Sequence, residues 1–440
     1  MQLAERLEAR TFFALTPNDP LFPRQWWMQQ VSASQAWDLT TGSLKVVVNV
    51  NDTGVDYTHP DLYKNIWLNQ KEIPFAIGNK ANALRDTDAD GLITFWDLNA
   101  KDNKGKLVNG AFVRDVNGTG YIDAGDLLND PRWENGSDND RNGYTDDLVG
   151  WDFFNNDNDP MDDNYHGTFV AGILGSVGDN GEGGAGVAWR VQMMITKVID
   201  ANASSDDVGE HVASLHYVAD NGASISNNSW GWFDPLAGEV EQLNAAVEYT
   251  GSKGVLYVAS AGNQSLNTDR DNMDGPFPQS LDHPNIINVT ATNPDDEKAS
   301  FSNYGHQSVD LAAPGELVGS TLPVSFVPFP SLPFPYAILS PGGTSFAAPH
   351  VAGAAALLLA RNPNLSYAQL KSLIMNNVDP LPTFAGKTVS GGRLNIYKAL
   401  LAATSAPTAA PPSAAASVFS TTQLSATRDL LVTAADAPLV

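Results

Sequence analysis

Cysteine is absent from this 440-residue chain. No disulfide staples it, and thiol chemistry is excluded. Positive charge is scarce: 25 Lys and Arg stand against 50 Asp and Glu, a net charge of -25. Such a surface repels nucleic acid and anionic membranes, so neither is an expected partner, and it suits cations. No apolar run is long enough to span a membrane. The N-terminal stretch MQLAERLEARTFFALTPNDP lacks a signal peptide, because its apolar run FFAL is too short. The expectation is a cytoplasmic protein or a chain that has lost its leader.

The chain is 42% hydrophobic and long enough for one large domain or two ordinary ones. Its acid is concentrated. Residues 86–163 hold 19 acidic and 6 basic side chains. A segment of that charge is often disordered. This one also holds Trp96, Phe112, Tyr121, Trp133, Tyr144, Trp151 and Phe153, which is rich for disorder, so an ordered insertion is expected.

Elsewhere two patterns alternate. KVVVNV, VQMMITKVI, SISNNSW, GVLYVASAG and IINVTAT are short apolar and β-branched runs that read as buried strands. Between them lie amphipathic stretches such as SDDVGEHVASLHYVADNG, opening on Ser and Asp cap candidates, and EVEQLNAAVEYTGSKG; both close at Gly. Strand–helix–strand alternation predicts an α/β fold, a mainly parallel central sheet with helices on both faces. In such sheets sites form at the carboxyl ends of strands. The expected organisation is a stub at 1–16, a domain over 17–403, a Pro/Ala/Ser linker at 404–417 and a tail at 418–440, the start of a truncated further domain.

Four residues stand at strand ends or helix starts. Asp52 closes the strand KVVVNVN within NDTGVDYTHPDL. Asp-Thr-Gly also fits an ordinary strand-ending turn, and it marks aspartic proteases, but those need two facing carboxylates and no second copy is present. His166, in NYHGTFVAGILGSV, begins a predicted helix after a polar loop. Ser345, in GGTSFAAPHVAGAAALLLA, precedes a strongly apolar helix. A serine there serves as a helix N-cap. It equally suits a nucleophile, because free N–H groups and a positive dipole end stabilise an oxyanion beside it. Pro349 is expected in the first turn or so, where its missing N–H matters little. Asn263 ends GVLYVASAGN, as a turn former or as an amide donor to an oxyanion. Asp, His and Ser together make a nucleophile, its base and the carboxylate that orients the base.

At this point the sequence resembles the subtilases, the subtilisin-like serine proteases, from about Pro17 to Leu401. NDTGVDYTHPDL, HGTFVAGI, SNNSWG, ASAGN and GGTSFAAPHVAGAAALLL match family blocks in the family's order. The resemblance implies a subtilisin-like three-layer architecture and a serine endopeptidase acting through an acyl-enzyme. Asp52 would be the orienting carboxylate, His166 the base and then acid, Ser345 the nucleophile and Asn263 the oxyanion donor. It implies that Ser229–Gly231 pairs with substrate backbone as an edge strand, and that Trp230, Ala261 and Gly262 line side-chain pockets. It further implies protein or peptide substrates, secretion, a monomer, and an inhibitory prodomain that this chain lacks, AERLEAR being a remnant of its end. A catalytically dead relative serving as a binding module is the alternative. Four departures from the family pattern stand out: Phe169 in place of a second His, Phe346 in place of Met after the nucleophile, Asn51 in place of an aliphatic residue, and a longer loop at Pro341-Gly342.

The acidic insertion carries three related loops. DTDADGLIT begins at Asp86 and places Asp86, Asp88 and Asp90 at alternate positions before Gly91, closing on Asp97. DVNGTGYID places Asp115, Asn117 and Thr119 likewise, with Asp123 and a closing Asp126. DNDRNGYTD places Asp138, Asp140 and Asn142, with Asp146, but has Val149 at the closing position and would need Asp147 or Asp152 there. Calcium takes about six to eight oxygens, and the glycine permits the turn that wraps them around it. Structural calcium is therefore expected, with the short Asp97 making the first site weak. Metal-free Asp/Gly/Asn-rich turns are the alternative. A calcium sensor is not expected, since the flanks of the first loop, PFAIGNKANALR and LNAKDNKGK, are poor helices.

Overall fold

Residues 14–78, 83–101, 103, 112–200, 208–232, 236–269, 281, 283–325, 336–337 and 342–405 are described by a computed structural model of the protein. Most of the N-terminal stub, the cap candidates at 205–207, Pro341, and the linker and tail beyond Ser405 lie outside the described residues.

The strands, in chain order, are β1 (Gly42–Asp52), β2 (Gly150–Asp152), β3 (Arg190–Lys197), β4 (Ile225–Asn228), β5 (Leu256–Ser260), β6 (Ile286–Thr292), β7 (Leu311–Pro314), β8 (Ser320–Thr321), β9 (Tyr336–Ala337), β10 (Asp379–Pro380) and β11 (Gly392–Arg393). Nine form one sheet in the order β10-β11-β7-β6-β5-β4-β1-β3-β2, and β8 pairs with β9 apart from it. Every neighbouring pair in the large sheet is parallel except β10 with β11. The five runs read as strands form β1, β3, β4, β5 and β6. Strand β7 is a short run of small residues, LAAP, with little β-branched signal.

The helices are α1 (Trp26–Gln30), α2 (Ala33–Trp37), α3 (Phe95–Leu98), α4 (Ala124–Leu128), α5 (His166–Gly175), α6 (Val208–Asp220), α7 (Ala237–Ser252), α8 (Thr344–Arg361), α9 (Tyr367–Met375) and α10 (Ile396–Ser405). They cover both faces of the sheet, and the strands show it. On β5, Leu256 and Val258 join the core that contains α5 and α8, while Tyr257 and Ala259 join a second cluster with Leu243 and Val247 of α7 and Leu215 of α6. A strand buried on both faces reads as a continuous apolar run, which is why the sequence showed these strands as runs rather than alternations. The alanines of α8 at 347, 348, 352 and 354–356 are buried and let that helix lie close along the sheet.

The acidic insertion is ordered wherever it is described. Phe95, Leu98, Leu127, Trp133, Leu148 and Val149 all enter the main core. Burial of each of these large side chains contributes about 1.5–3 kcal/mol, which works against the repulsion of so much acid.

Candidate active site and acidic loops

Parallel strands put the ends of β1, β4 and β5 on one edge of the sheet, and the candidate residues gather there. Asp52 is the last residue of β1 and is fully buried. His166 is the first residue of α5. Its Nδ1–H donates to Asp52 Oδ1 across 2.7 Å. The same oxygen accepts from Thr53 N at 2.8 Å, and Asp52 Oδ2 is buried without a hydrogen bond. The close approach depends on Gly167, where a Cβ would stand 1.9 Å from Gly54 O. Burial works against a charged His166 ring, but Asp52 and Asp162 outweigh it and hold the imidazole pKa above its ordinary value.

Asp162 was not singled out from sequence, yet it ties the two halves together. It accepts from Thr53 Oγ1 at 2.9 Å and from Thr168 N at 2.9 Å, so it joins the end of β1 to the first turn of α5. Burial pushes its own pKa up to about 6.

Ser345 is the second residue of α8, and Gly343 is the N-cap, so the serine is not a capping residue. Its hydroxyl donates to Ser229 O at 3.0 Å, while Ser229 Oγ donates to Ser345 O at 2.8 Å. Pro349 explains this reciprocal clamp. It lies inside α8, not in its first turn. Having no N–H, it leaves the carbonyl four residues earlier, that of Ser345, free for Ser229. No hydrogen bond joins His166 to Ser345 in this arrangement.

Asn263 follows β5. Its Oδ1 accepts from Thr344 N at 2.9 Å and from Thr344 Oγ1 at 3.0 Å. A backbone N–H can only donate, so this contact fixes the amide orientation and leaves Nδ2 as the free donor at the N-terminus of α8. Buried Asn303, also missed from sequence, holds that loop: its Nδ2 donates to Ala261 O, its Oδ1 accepts from Gln264 N and Leu266 N, and its N–H donates to Gly262 O. Gly262 has φ +95° and donates to Thr344 Oγ1.

Residues 229–231 have no regular secondary structure. Gly231 is exposed, whereas Trp230 is 6% exposed and packs against His211 and Trp232 at ring separations of 4.1 and 5.7 Å. The departures Phe169 and Phe346 meet each other at 4.4 Å, and Phe346 lies 5.6 Å from the His166 ring. They form one aromatic contact behind the imidazole. Asn51 turns into a satisfied polar network with Asn228, Thr196 and Ser214. Gly342 has φ +127°, a conformation that favours glycine.

The Peptidase_S8 model, described as "Subtilase family", matches residues 43–407. The chain belongs to the subtilase family. Its class of activity is that of a serine-type endopeptidase, and its mainly parallel α/β sheet is the subtilisin-like fold. Thermitase of Thermoactinomyces vulgaris is 32% identical over 386 residues, covering 88% of this chain and 99% of that relative. Subtilisin-like protease 1 of Plasmodium vivax is 30% identical over 403 residues, covering 87% of this chain and 52% of that protein, so the chain spans about half its length. Among solved structures, a protease from Pseudoalteromonas arctica superposes with TM-score 0.58 at 25% identity, over 88% of this chain and 99% of that one. A lanthipeptide protease gives TM-score 0.61 at 19% identity, over 89% of this chain and 99% of that one, which speaks to the fold alone.

The acidic loops of this subtilase differ from one another. In the first, Asp86 accepts from Asp90 N and Gly91 N, and one oxygen each of Asp86, Asp88 and Asp97 lie within 4.8 Å of one another. Asp90 turns back to Leu92 N. Buried Asp97 accepts from Thr87 and, as part of a capping box on α3, from Thr94. In the second, Asp115 accepts from Gly118 N and Gly120 N, while Asn117 and Thr119 donate to Asp123, and Asp126 caps α4. Burial raises Asp123 to about 6. No comparable trio of carboxylates converges there among the described residues. In the third, Asp138 accepts from Asn142 N and Gly143 N, but Asp146 turns away to Asn135 N and Gly136 N. Glu72, Asp140 and Asp147 form the second group whose oxygens lie within 4.8 Å. These sets offer oxygen alone, the donor chemistry that hard cations such as calcium take.

Proposed function

We propose that this subtilase hydrolyses internal peptide bonds of protein and peptide substrates through Asp52, His166 and Ser345 and an acyl-enzyme intermediate. The observation that carries the proposal is the 2.7 Å contact between His166 Nδ1 and Asp52 Oδ1, with Ser345 in the first turn of α8 on the same edge of the sheet. His166 Nε2 takes the proton from Ser345 Oγ as that oxygen attacks the substrate carbonyl carbon. Asp52 holds the tautomer and steadies the imidazolium. The tetrahedral oxyanion is met by Asn263 Nδ2 and by the Ser345 N–H, one of the donors a helix start leaves unpaired. His166 then gives its proton to the leaving amine, and water repeats the sequence to release the acid.

The bond from Ser345 Oγ to Ser229 O favours the alternative, an inactive binding module. Rotation about the serine Cα–Cβ bond exchanges that partner for another, and catalytic hydrogen bonds are commonly loose before substrate arrives. Bound calcium stabilises the acidic insertion, and secretion follows the habit of the family. The test is cleavage of an unfolded protein substrate. Asn263→Ala should lower kcat by about 10²–10³-fold with KM little changed, a magnitude that comes from subtilisin itself. Cleavage that persists in Ser345→Ala contradicts the assignment.

A further inference from the structure

Asn263 is exposed, and residues 261–266 around it have no regular secondary structure. Such loops are ordinarily the mobile part of a fold. An oxyanion donor needs the opposite, because a dipole helps only if it already stands where charge will develop. The backbone of this loop shows how it is held. Ala261 N donates to Val289 O and Ser265 N to Phe301 O. Gly262 N donates to Thr344 Oγ1. The N–H groups of Gln264 and Leu266 both go to Asn303 Oδ1, at 3.0 and 2.9 Å.

The whole hydrogen-bonding capacity of the Asn303 side chain is used on this loop. Its oxygen takes the two N–H groups just named. The two protons of its Nδ2 go to Ala261 O at 2.9 Å and to Gln264 Oε1 at 3.0 Å. Gln264 Oε1 in turn accepts from Asn263 N at 2.8 Å, so the contact reaches the donor residue itself. Asn303 is fully buried and is anchored from behind: its carbonyl accepts from Thr290 Oγ1 of β6 at 2.7 Å. Only an amide of this length fits. A carboxylate at 303 would turn an oxygen onto Ala261 O and Gln264 Oε1, both acceptors. An aliphatic side chain would take these partners from the loop altogether.

We infer that Asn303 is a positioning residue for the oxyanion site. It acts through Asn263, by fixing residues 261–266 so that Asn263 Nδ2 stands ready for the developing charge. The inference rests on the role proposed above for Asn263 and extends it to a buried side chain on a separate segment. Thr344 fixes the amide of Asn263 from the side of α8, and Asn303 fixes its backbone from the side of β6. The donor is thus held between the helix that carries the nucleophile and the strand next to β5.

The test is a double-mutant cycle on the full chain, read by steady-state cleavage of an internally quenched peptide that the parent cleaves. Asn303→Ala should lower kcat about tenfold or more with KM little changed. In the Asn263→Ala background the same substitution should change kcat by less than about twofold, since the donor it positions is gone. A merely structural role would cost the same in both backgrounds. Gln264→Met keeps the length of an exposed side chain and removes its acceptor. It should lower kcat to a smaller extent, again only while Asn263 is present, and it decides the matter if Asn303→Ala fails to fold. Parental kcat in the folded variants, equal losses in both backgrounds, or losses confined to KM overturn the inference and leave the Asn263 assignment standing. If Asn263→Ala itself keeps the parental kcat, the oxyanion assignment is wrong and the inference falls with it.

Discussion

The pKa of His166 is held above its ordinary 6.5 because Asp52 and Asp162 outweigh the effect of burial. On the proposed mechanism the base must be neutral to accept the serine proton, so activity should fall as pH drops through that raised value. The rising limb of kcat/KM against pH should have its midpoint above 6.5, and Asp162→Asn should move the midpoint down. A limb unmoved by that substitution would remove Asp162 from the account. Asp52, His166, Ser345 and Asn263 stand out in sequence as candidates because each sits where a strand ends or a helix begins, next to a glycine or a polar turn. Asp162 and Asn303 do not. They act by bonding the backbone and hydroxyls of other segments, and nothing in their own neighbourhoods marks a partner in β1 or after β5. The departures Phe169 and Phe346 were each visible, but their contact with one another was not.

Gly167 carries the fit of α5 against β1. A Cβ there would stand 1.9 Å from Gly54 O and 3.1 Å from Asp52 Cβ. Gly167→Ala should therefore destabilise the fold by about 1–3 kcal/mol and lower kcat more than Gly172→Ala, whose Cβ would crowd Ser320 and Thr321 of β8 and not Asp52 or Gly54. Denaturant unfolding and steady-state kinetics on the two variants measure both effects. At this scale the strands were legible from apolar runs, and the insertion's loops from spacing. What spacing hid is how the loops are completed. Ile93 in the first loop bonds through both backbone groups to the Gln70 side chain, and Ile122 in the second bonds likewise to Asn99. The two units repeat at an offset of 29 residues, Asp86 to Asp115, Asp97 to Asp126 and Gln70 to Asn99. An amide side chain takes the place that a partner loop would fill. That is why the insertion needs neither an entering helix nor a paired hand. It is also why a reading by loop positions alone left out Gln70, Asn99 and Glu72.

Across the whole molecule, a net charge of -25 and the absence of cysteine leave cations as the available staple. Among the described residues no helix is long and apolar enough to cross a membrane. An ion bound only by the folded state at about 100 times its dissociation constant adds about 2.7 kcal/mol. Chelation should lower the melting temperature and shorten survival against self-digestion, and restored calcium should reverse both. Equal melting with and without chelator would deny the insertion its staple. The fold class was legible from the alternation of runs and amphipathic stretches, since that alternation allows few sheet topologies. The two-residue strands β10 and β11 were not, because so short a pairing is set by tertiary contact and leaves no periodic trace.

The central claim is that Ser345 is a nucleophile activated by His166. Reaction of the folded protein with a serine-directed fluorophosphonate, followed by intact-mass and peptide-mass measurement, tests it most directly. The account predicts a single adduct on the peptide that contains Ser345, lost in Ser345→Ala and slowed at least about 10²-fold in His166→Ala. No adduct on the folded protein, or equal labelling of Ser345→Ala, would contradict it.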